Sequence, residues 1–205
     1  MENKDNKSEM IKSVAFRLFL DRGYDATTIR MLSRAAGVEA PSIYHYFGSK
    51  KGLFYAISES YLEDYQELLK ESMKHWGADP MNQILGFVKF AVWYTMNHID
   101  ETKFYLRYRL FWPAELSEDM EIHFHKTNDQ KEDLLRDAIR LCIETGSCKV
   151  DEQTAYRSLI NFVDSCTFNI IFSNWRPDEQ ELIETWQLFY QSRIKLEKGI
   201  LNYEN

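Results

Sequence analysis

The chain has 205 residues, of which 44% are hydrophobic and 15% aromatic, and its formal net charge is −7. This apolar content excludes a disordered chain and is enough for the core of one or two domains. Only four prolines and eight glycines occur, and the prolines fall at helix starts or breaks, which favours an all-α protein.

Charge is distributed unevenly along the chain. Residues 1–52 carry nine basic and six acidic residues, whereas the remainder carries 16 basic and 26 acidic residues. A basic N-terminal segment on an acidic body is typical of a protein that contacts nucleic acid. The acidic remainder would be repelled by phosphates, so we expect contact through the N-terminal segment alone.

The first predicted helix begins at Ser8 and ends before Gly23, after a polar and frayed start over residues 1–7. Apolar residues recur in it at three- and four-residue spacing, which indicates one buried face. That face consists of Ile11, Val14, Ala15, Leu18 and Phe19.

Residues 27–47 predict two short helices joined by a tight turn. Thr27 or Thr28 is suited to cap the first helix, because a hydroxyl there accepts a backbone N–H. Gly37 follows its last turn, where a left-handed residue is favoured, and Pro41 falls in the first turn of the second helix. This is the pattern of a helix-turn-helix, although two packed helices of any all-α protein would produce it as well.

Ser49 is placed to cap a long following helix, whose first two residues are Lys50 and Lys51. Cations at a helix N-terminus oppose the helix dipole by about 0.3–1 kcal/mol each. A bound phosphate would remove this conflict, so the pair indicates contact with a DNA backbone. Two solvated lysines that tolerate the small cost are the alternative.

The segment GYDATTIRMLSRAAGVEAPSIYHYFGSKKGLF resembles the N-terminal DNA-binding signature of the TetR (tetracycline-repressor) family. The resemblance extends over about residues 8–55 and rests on these positions: Gly23-Tyr24, Thr27-Thr28, Ala36-Gly37-Val38, Ile43-Tyr44, Tyr46-Phe47, Ser49-Lys50 and Leu53-Phe54. It implies an all-α fold of about nine helices. Residues 1–50 would form a three-helix helix-turn-helix DNA-binding domain, and residues 51–205 a helical effector-binding and dimerisation domain.

Two positions depart from the family pattern. Glu39 stands where the family usually has Ser or Thr, and Gly52 stands where it often has an acidic residue that completes a capping box. Glu39 is a poor cap, but its carboxylate is able to accept a hydrogen bond from a cytosine amino group. An operator sequence therefore cannot be borrowed from the family.

The candidates for DNA contact are the outward residues of the second helix of the motif, together with its flanks. Hydroxyls and ammonium groups suit phosphates, whereas small groups, an imidazole and a carboxylate suit base edges. We predict phosphate contacts for Thr28, Ser42, Tyr44, Tyr46 and Lys50, and base-edge contacts for Glu39, Ala40, Pro41 and His45.

Caps and breakers predict six further helices. They cover residues 50–75, 80–98, a short segment 103–112 capped by Thr102, 118–145, 151–174, and a last one that starts at Pro177-Asp178. The unbroken length of the first predicts a lever between the two domains. In the family the last two helices form a dimer by four-helix packing, which sets two recognition helices about one DNA turn (roughly 34 Å) apart. The predicted dimer interface is Tyr156, Ile160, Val163, Thr167, Ile170, Trp186, Phe189 and Tyr190.

A small-molecule site is predicted in the middle of the second domain, mainly because the family's body binds small molecules. Pockets are mostly apolar with a few placed polar groups, although an aromatic stripe at helical spacing is more often core. The candidates are Trp93, Tyr94, His98, Tyr105, Tyr108, Arg109, Trp112, Phe124, Phe162, Cys166 and Phe168. Arg107 or Arg109 would hold an anionic group or form a surface salt bridge.

Other kinds of site find no support in the sequence. His123 and His125 would point about 200° apart on a helix, so we expect no metal site, and we expect no cofactor. No Gly-rich phosphate loop, nucleophile elbow or HExxH motif occurs, so we expect no enzyme. No apolar run of about 18 residues, signal sequence or disulfide spacing occurs, which predicts a cytoplasmic protein with reduced thiols and no membrane span.

These observations predict a ligand-responsive transcriptional repressor. A homodimer would hold a palindromic operator in double-stranded DNA and release it when a small, largely apolar effector binds the C-terminal domain. The alternative is an all-α small-molecule-binding or interaction protein with a vestigial helix-turn-helix. The basic N-terminal segment and the paired lysines favour the repressor.

Overall fold

The computed structural model describes residues 2–116 and 129–193, and in these ranges it contains nine α-helices, one 3-10 helix and no strand. The all-α prediction is therefore confirmed for the described residues. The helices are α1 (Glu2–Arg22), α2 (Ile29–Ala36), α3 (Ala40–Phe47), α4 (Lys50–Met73), α5 (Pro80–Asn97), α6 (Ile99–Leu110), the 3-10 helix Ala114–Leu116, α7 (Asp129–Glu144), α8 (Glu152–Phe172) and α9 (Glu179–Arg193).

Two predicted boundaries are wrong. Helix α1 begins at Glu2 rather than at Ser8, because the polar N-terminal residues continue the same helix. Helix α6 begins at Ile99, so Thr102 is a buried residue inside the helix and not its cap. The predicted helix over residues 118–145 is described only from Asp129 onward.

The chain divides into two compact units. One contains the described residues of Met1–Glu67 and Asp100–Lys126, and the other contains those of Leu68–Ile99 and Thr127–Asn205. The first unit therefore extends beyond the predicted domain boundary at residue 50 and includes most of α4 as well as α6. The physical reason is a shared core, because α4 and α6 supply aromatic rings that pack against α1.

The core of the first unit combines the helix-turn-helix with two helices that follow it in the chain. Its buried residues are Ile11, Ala15, Phe19, Tyr24, Leu32, Ala36, Ile43, Leu53, Phe54, Ile57, Phe104, Tyr108 and Leu116. Phe54 of α4 lies near its centre, with ring centroids 4.7 Å from Tyr108 and 5.5 Å from Phe104. Fully buried aromatic side chains are among the largest contributors to core stability.

Local capping explains where the motif helices begin and end. The Thr28 hydroxyl accepts the Met31 N–H at 3.3 Å, and the Ser49 hydroxyl accepts the Gly52 N–H at 2.9 Å. Gly37 ends α2 in the left-handed region with φ of 62°, as its position in the sequence predicts. Thr27 is not the cap, since its buried hydroxyl donates to the Gly23 carbonyl at 2.7 Å.

Helix α5 is the central helix of the second unit. It packs against α7, α8 and α9, and α8 also packs against α7 and α9. Asp79 caps α5 by accepting the Asn82 N–H at 2.9 Å, and Asp151 caps α8 by accepting the Thr154 N–H at 3.0 Å. Both caps agree with the predicted helix starts.

Within residues 2–116 and 129–193, no helix combines the length and the apolar character that crossing a membrane requires.

Candidate functional site

Helix α3 presents a mixed polar and aromatic surface and buries only one of its side chains completely. Ile43 is fully buried, whereas Pro41, Tyr44 and His45 are exposed, and the predicted contacts Ala40, Ser42 and Tyr46 are half-buried. Tyr44 is 51% exposed although it is large and aromatic. The side chains predicted to contact DNA therefore lie at the surface of α3, with the apolar side of the helix turned into the core.

Glu39 precedes α3 and takes the N-cap position in an extended conformation, but its side chain makes no cap hydrogen bond. This agrees with the prediction that Glu39 is a poor cap. Its exposed carboxylate remains available to a partner outside the helix, which suits the predicted contact with a base. The imidazole of His45 contacts Tyr46 edge-on, with ring centroids 5.4 Å apart, and this contact restrains the orientation of both rings.

Lys50 is held by the turn that precedes α2. Its ammonium donates to the Tyr24 carbonyl at 3.1 Å and lies 3.9 Å from the centroid of the Tyr24 ring. Burial and the carboxylate of Glu115 raise the pKa of Tyr24, so the ring stays neutral and its face attracts the cation. This contact offsets the unfavourable position of Lys50 at a helix N-terminus. An ammonium has three donors, so the Tyr24 carbonyl leaves capacity for a phosphate.

Two further cations lie on the exposed surface of α2. Arg30 and Arg34 are one helical turn apart and both exposed, so they add positive charge to the surface of the helix-turn-helix. The sequence prediction did not include them. The signal that would have found them is their spacing, which sets both opposite the buried Leu32 and Ala36.

Helix α6 contributes to the core of the first unit rather than to a ligand pocket. Tyr108 is buried, and its hydroxyl donates to the Phe19 carbonyl at 2.9 Å. Arg107 donates to the Leu20 carbonyl near the end of α1 at 2.8 Å, a favourable place for a cation at a helix C-terminus. Of the predicted ligand residues, Tyr108 therefore has a packing role.

The other predicted ligand residues of α6 and its end also belong to the first unit. Arg109 donates to the Tyr105 hydroxyl at 3.0 Å, so this predicted anion-binding residue already has a neighbour on its own helix. Trp112 is an exposed side chain just after the end of α6. Tyr105, Arg109 and Trp112 thus belong to the first unit, whereas Trp93, Tyr94, His98, Phe162, Cys166 and Phe168 belong to the second.

The second unit has an open groove between the end of α4 and helix α5, which we call the aromatic groove. Its volume is about 410 Å³, within the range of small-molecule sites. Its lining consists of Leu68, Glu71, Ser72, His75, Trp76, Gly86, Lys89, Phe90 and Trp93. Trp93 is the one predicted ligand residue in this lining, and its side chain is 44% exposed.

A second open groove of about 410 Å³ lies between α8 and α9, and we call it the polar groove. Its lining consists of Phe162, Ser165, Cys166, Asn169, Ser173, Trp175, Glu181 and Thr185. The Trp175 indole donates to the Glu181 carboxylate at 2.9 Å. Burial raises the pKa of the Cys166 thiol to about 11, so this cysteine is a poor nucleophile at neutral pH.

The predicted ligand residues are thus divided among several places. Phe162 and Cys166 line the polar groove, and Tyr94 and His98 stack on each other with ring centroids 4.5 Å apart. Phe168 belongs to neither groove; it is exposed on α8 and stacks on Phe172. Phe124 lies outside the described residues.

The predicted dimer interface includes side chains that the second unit packs inside itself. Ile170 and Trp186 are almost fully buried, because α8 and α9 turn them toward the core, and this placement differs from their predicted role at a surface. Tyr156, Ile160, Thr167, Phe189 and Tyr190 are half-buried, and Val163 is buried. The large apolar side chains that α8 and α9 leave exposed are Phe168, Phe172 and Leu188.

No metal site is found in the described residues, since none of their His, Cys, Asp and Glu side chains form a group of three that could hold an ion. The predicted absence of a site at His123 and His125 lies outside the described residues. Cys142, Cys148 and Cys166 are free and buried.

The sequence of the first unit matches a known family of DNA-binding domains. Residues 11–57 match the family described as bacterial regulatory proteins of the tetR family. This segment of the chain is therefore a DNA-binding segment of the tetR type. The matched segment contains the buried side of the helix-turn-helix, the exposed face of α3 and the beginning of α4 with Lys50.

A named repressor is similar to the chain over the N-terminal region that contains this segment. The transcriptional repressor KstR2 of Rhodococcus jostii is 32% identical over 74 residues, which are 34% of this chain. The match spans about a third (36%) of that repressor's length. The sequence similarity to this repressor therefore concerns the DNA-binding segment.

Solved structures extend the similarity to most of the chain. The TetR-family regulator PfmR of Thermus thermophilus is 25% identical, and the match covers 92% of this chain and 96% of that one with a TM-score of 0.68. The regulator AibR, solved with isovaleryl coenzyme A and operator DNA, has a TM-score of 0.69 at 16% identity, covering 90% of this chain and 97% of its own. The likeness to AibR concerns the fold alone.

Proposed function

We propose that this TetR-family protein is a transcriptional repressor that binds a palindromic operator as a homodimer and releases it when a small molecule binds the second unit. The observation that carries the proposal is the exposed face of α3 beside the anchored Lys50, within a segment that matches the family. Similarity to a named repressor over this segment supports the DNA-binding part.

The proposed contacts divide by chemistry. Thr28, Ser42, Tyr44, Tyr46 and Lys50 contact phosphates, while Glu39, Ala40, Pro41 and His45 lie along base edges. Phosphate contacts supply affinity that falls with salt, and base contacts supply sequence preference. Arg30 and Arg34 add to the phosphate contacts, because both are exposed cations on the helix that precedes α3.

We propose that a second copy of the chain covers the exposed apolar side chains of α8 and α9. Phe168 and Phe172 stack with ring centroids 5.7 Å apart, and Phe172 and Leu188 are 75% and 70% exposed. Burying such side chains is favourable, and a two-fold dimer pairs the two recognition helices with the two halves of a palindrome. Phe172→Glu is expected to yield monomers in sedimentation velocity, and a variant that stays dimeric would contradict this interface.

Release of DNA requires an effector that distinguishes two states of the protein. Shifting the populations from 1:99 to 99:1 takes a difference of about 5.5 kcal/mol in binding free energy between those states. The structure of AibR, which has this fold and was solved with isovaleryl coenzyme A and operator DNA, supports a protein that binds both a small molecule and DNA.

Binding to the DNA just upstream of the protein's own gene tests the proposal. Fluorescence anisotropy at several salt concentrations is compared with unrelated DNA of equal length. We expect tight, sequence-specific binding that weakens steeply with salt. Lys50→Ala should weaken binding to all sequences and reduce the slope against salt by about one charge.

Lys70→Ala is the matched control, since it removes the same charge from an exposed position of α4 in the second unit. It should leave both affinity and salt slope unchanged. A Lys50→Ala variant that binds like the control would show that Lys50 only anchors α4. Equally weak binding to both DNAs by the unmodified protein, with or without a panel of small molecules, would reject a specific repressor of its own gene.

A further inference from the structure

The aromatic groove has features of a binding site that the repressor proposal leaves unassigned. We propose that it binds a flat, uncharged apolar molecule and that this molecule is the effector. The effector role rests on the proposed function. Binding of the molecule rests only on the features of the groove.

Trp76, Phe90 and Trp93 line the groove, and Trp93 is the one of the three that is exposed. The Trp93 side chain is 44% exposed, and its ring centroid lies 6.1 Å from that of the buried Phe90. A flat apolar ligand that stacks here removes indole surface from water, which is favourable. Aromatic contacts in their preferred geometries add to this gain.

Gly86 and Trp76 give the groove a stiff wall. A Cβ atom at Gly86 would lie 2.5 Å from Cγ of Trp76, so only glycine lets the indole lie directly on α5. The Trp76 indole also donates to the Ser72 hydroxyl at 3.0 Å, which holds the ring in place. This wall is therefore already formed, so a ligand that contacts it loses little binding free energy to the ordering of side chains.

Charges near the groove are already compensated. Lys89 forms an ion pair with Glu179 at 2.6 Å, and Glu71 pairs with Lys74, which lies just after the end of α4. The hydrogen bond from Lys74, together with its charge, lowers the pKa of Glu71, so the pair stays charged at neutral pH. An ionic ligand would have to displace one of these partners or leave its own charge unpaired, which is costly at an apolar surface. This balance of charge favours an uncharged ligand.

The polar groove provides the contrast within the same unit. It has the same volume, about 410 Å³, but serine, threonine, asparagine and glutamate side chains make up most of its lining. A flat apolar molecule leaves such groups without hydrogen-bond partners. The aromatic groove has four polar side chains, of which Glu71, Ser72 and Lys89 already have partners in the chain. We therefore assign the apolar ligand to the aromatic groove.

Two fluorescent probes with one carbon skeleton test the assignment. N-phenyl-1-naphthylamine is uncharged, and 1-anilinonaphthalene-8-sulfonate carries an added sulfonate. Titrations of the full chain should give one naphthylamine bound per chain, at least about tenfold tighter than the sulfonate, which corresponds to about 1.4 kcal/mol. Equal affinities, or tighter binding of the sulfonate, would overturn the charge argument.

Three variants locate the probe. Trp93→Ala should weaken naphthylamine binding by about tenfold, because the variant loses one aromatic contact with the probe and the apolar area buried in it. Trp175→Phe is the control, because it changes one tryptophan of the polar groove. Glu179→Gln should tighten sulfonate binding by releasing Lys89, while naphthylamine binding stays the same. Loss of binding in Trp175→Phe but not in Trp93→Ala would place the probe in the polar groove.

The effector role has a separate measurement. Saturating naphthylamine should lower the affinity of the protein for the upstream DNA, and Trp93→Ala should remove this response. A groove that binds the probe without any change in DNA affinity would contradict the effector role and leave the repressor proposal intact. If the protein binds no DNA specifically, the repressor proposal fails instead, and the titrations still decide whether the groove binds its ligand.

Discussion

In the first unit, the rings of Phe54, Phe104 and Tyr108 contact one another inside a closed core, whereas in the second unit Trp93 and Phe172 remain substantially exposed. Both units are helical and rich in aromatic residues, so composition alone does not separate them. The difference indicates two uses of aromatic side chains. In the first unit they form a closed core beneath the face of α3 that we propose contacts DNA, and in the second some of them stay exposed, where we propose that a ligand or a second copy of the chain binds.

The largest effect on stability is expected when an aromatic ring that α6 contributes to the core of the first unit is removed. Phe104 is 2% exposed, and its ring centroid lies 5.2 Å from that of Phe16. Phe104→Ala should lower the free energy of unfolding by about 3–5 kcal/mol, measured by urea denaturation followed by circular dichroism.

Leu110→Ala on the same helix is the control, since Leu110 is 57% exposed and its loss should stay within about 0.5 kcal/mol. If Phe104→Ala lowered the free energy of unfolding by less than about 1 kcal/mol, α6 would contribute little to the stability of the first unit. The helix-turn-helix would then be stable without it.

A medium effect is expected at Gly86 in the second unit. Alanine normally favours a helix over glycine by about 1 kcal/mol, but here its Cβ would lie 2.5 Å from the Trp76 ring. Gly86→Ala should therefore destabilise the protein by about 1–3 kcal/mol through overpacking.

Combining Gly86→Ala with Trp76→Leu separates the causes. The smaller side chain should relieve the clash, so the two changes together should cost less than the sum of each alone. Stabilisation by Gly86→Ala alone would show that Trp76 moves aside freely, and the groove wall would then not be stiff.

The smallest effect concerns the hydroxyl of Tyr108. Tyr108→Phe removes its hydrogen bond to the Phe19 carbonyl and should cost about 0.5–1.5 kcal/mol at pH 7. Burial raises the pKa of Tyr108 from 10.0 to about 12, against the opposing charge of Arg107. The protonated hydroxyl is thus favoured by folding, and its contribution is present below pH 10 and is lost as the pH rises toward about 12.

Urea unfolding at several alkaline pH values checks this sign. The stability advantage of the unmodified protein over Tyr108→Phe should shrink between pH 10 and pH 12. Other tyrosines ionise equally in both proteins, so their contribution cancels in the difference. If this stability advantage stayed constant between pH 10 and pH 12, burial would not be disfavouring the ionised hydroxyl of Tyr108.

Local chemistry explains why the helix-turn-helix was predictable. The cap of Thr28, the left-handed Gly37 and the cap of Ser49 depend on a few neighbouring residues, and all three occur where the sequence places them. Spacing also predicts which face of α3 is buried, because a helical repeat sets Ile43 opposite Tyr44 and His45.

Long-range packing explains what was not predictable. Tyr108 and Trp93 are both aromatic residues on helical stripes, yet one completes a core 54 residues along the chain from Phe54, and the other lines an open groove. Periodicity states that a face is apolar and does not state which partner covers it. The same limit applies to Ile170 and Phe172, one buried in its own unit and one exposed.

The sequence by itself determined the helical class, the starts of the motif helices and which side of α3 is buried, because caps, turns and periodicity act over a few residues. Only the tertiary structure decided that Lys50 rests on the Tyr24 ring, that α6 belongs to the first unit, and that one groove is aromatic and the other polar. These features depend on which helices meet, and that choice is made by the shapes and volumes of side chains far apart in the chain.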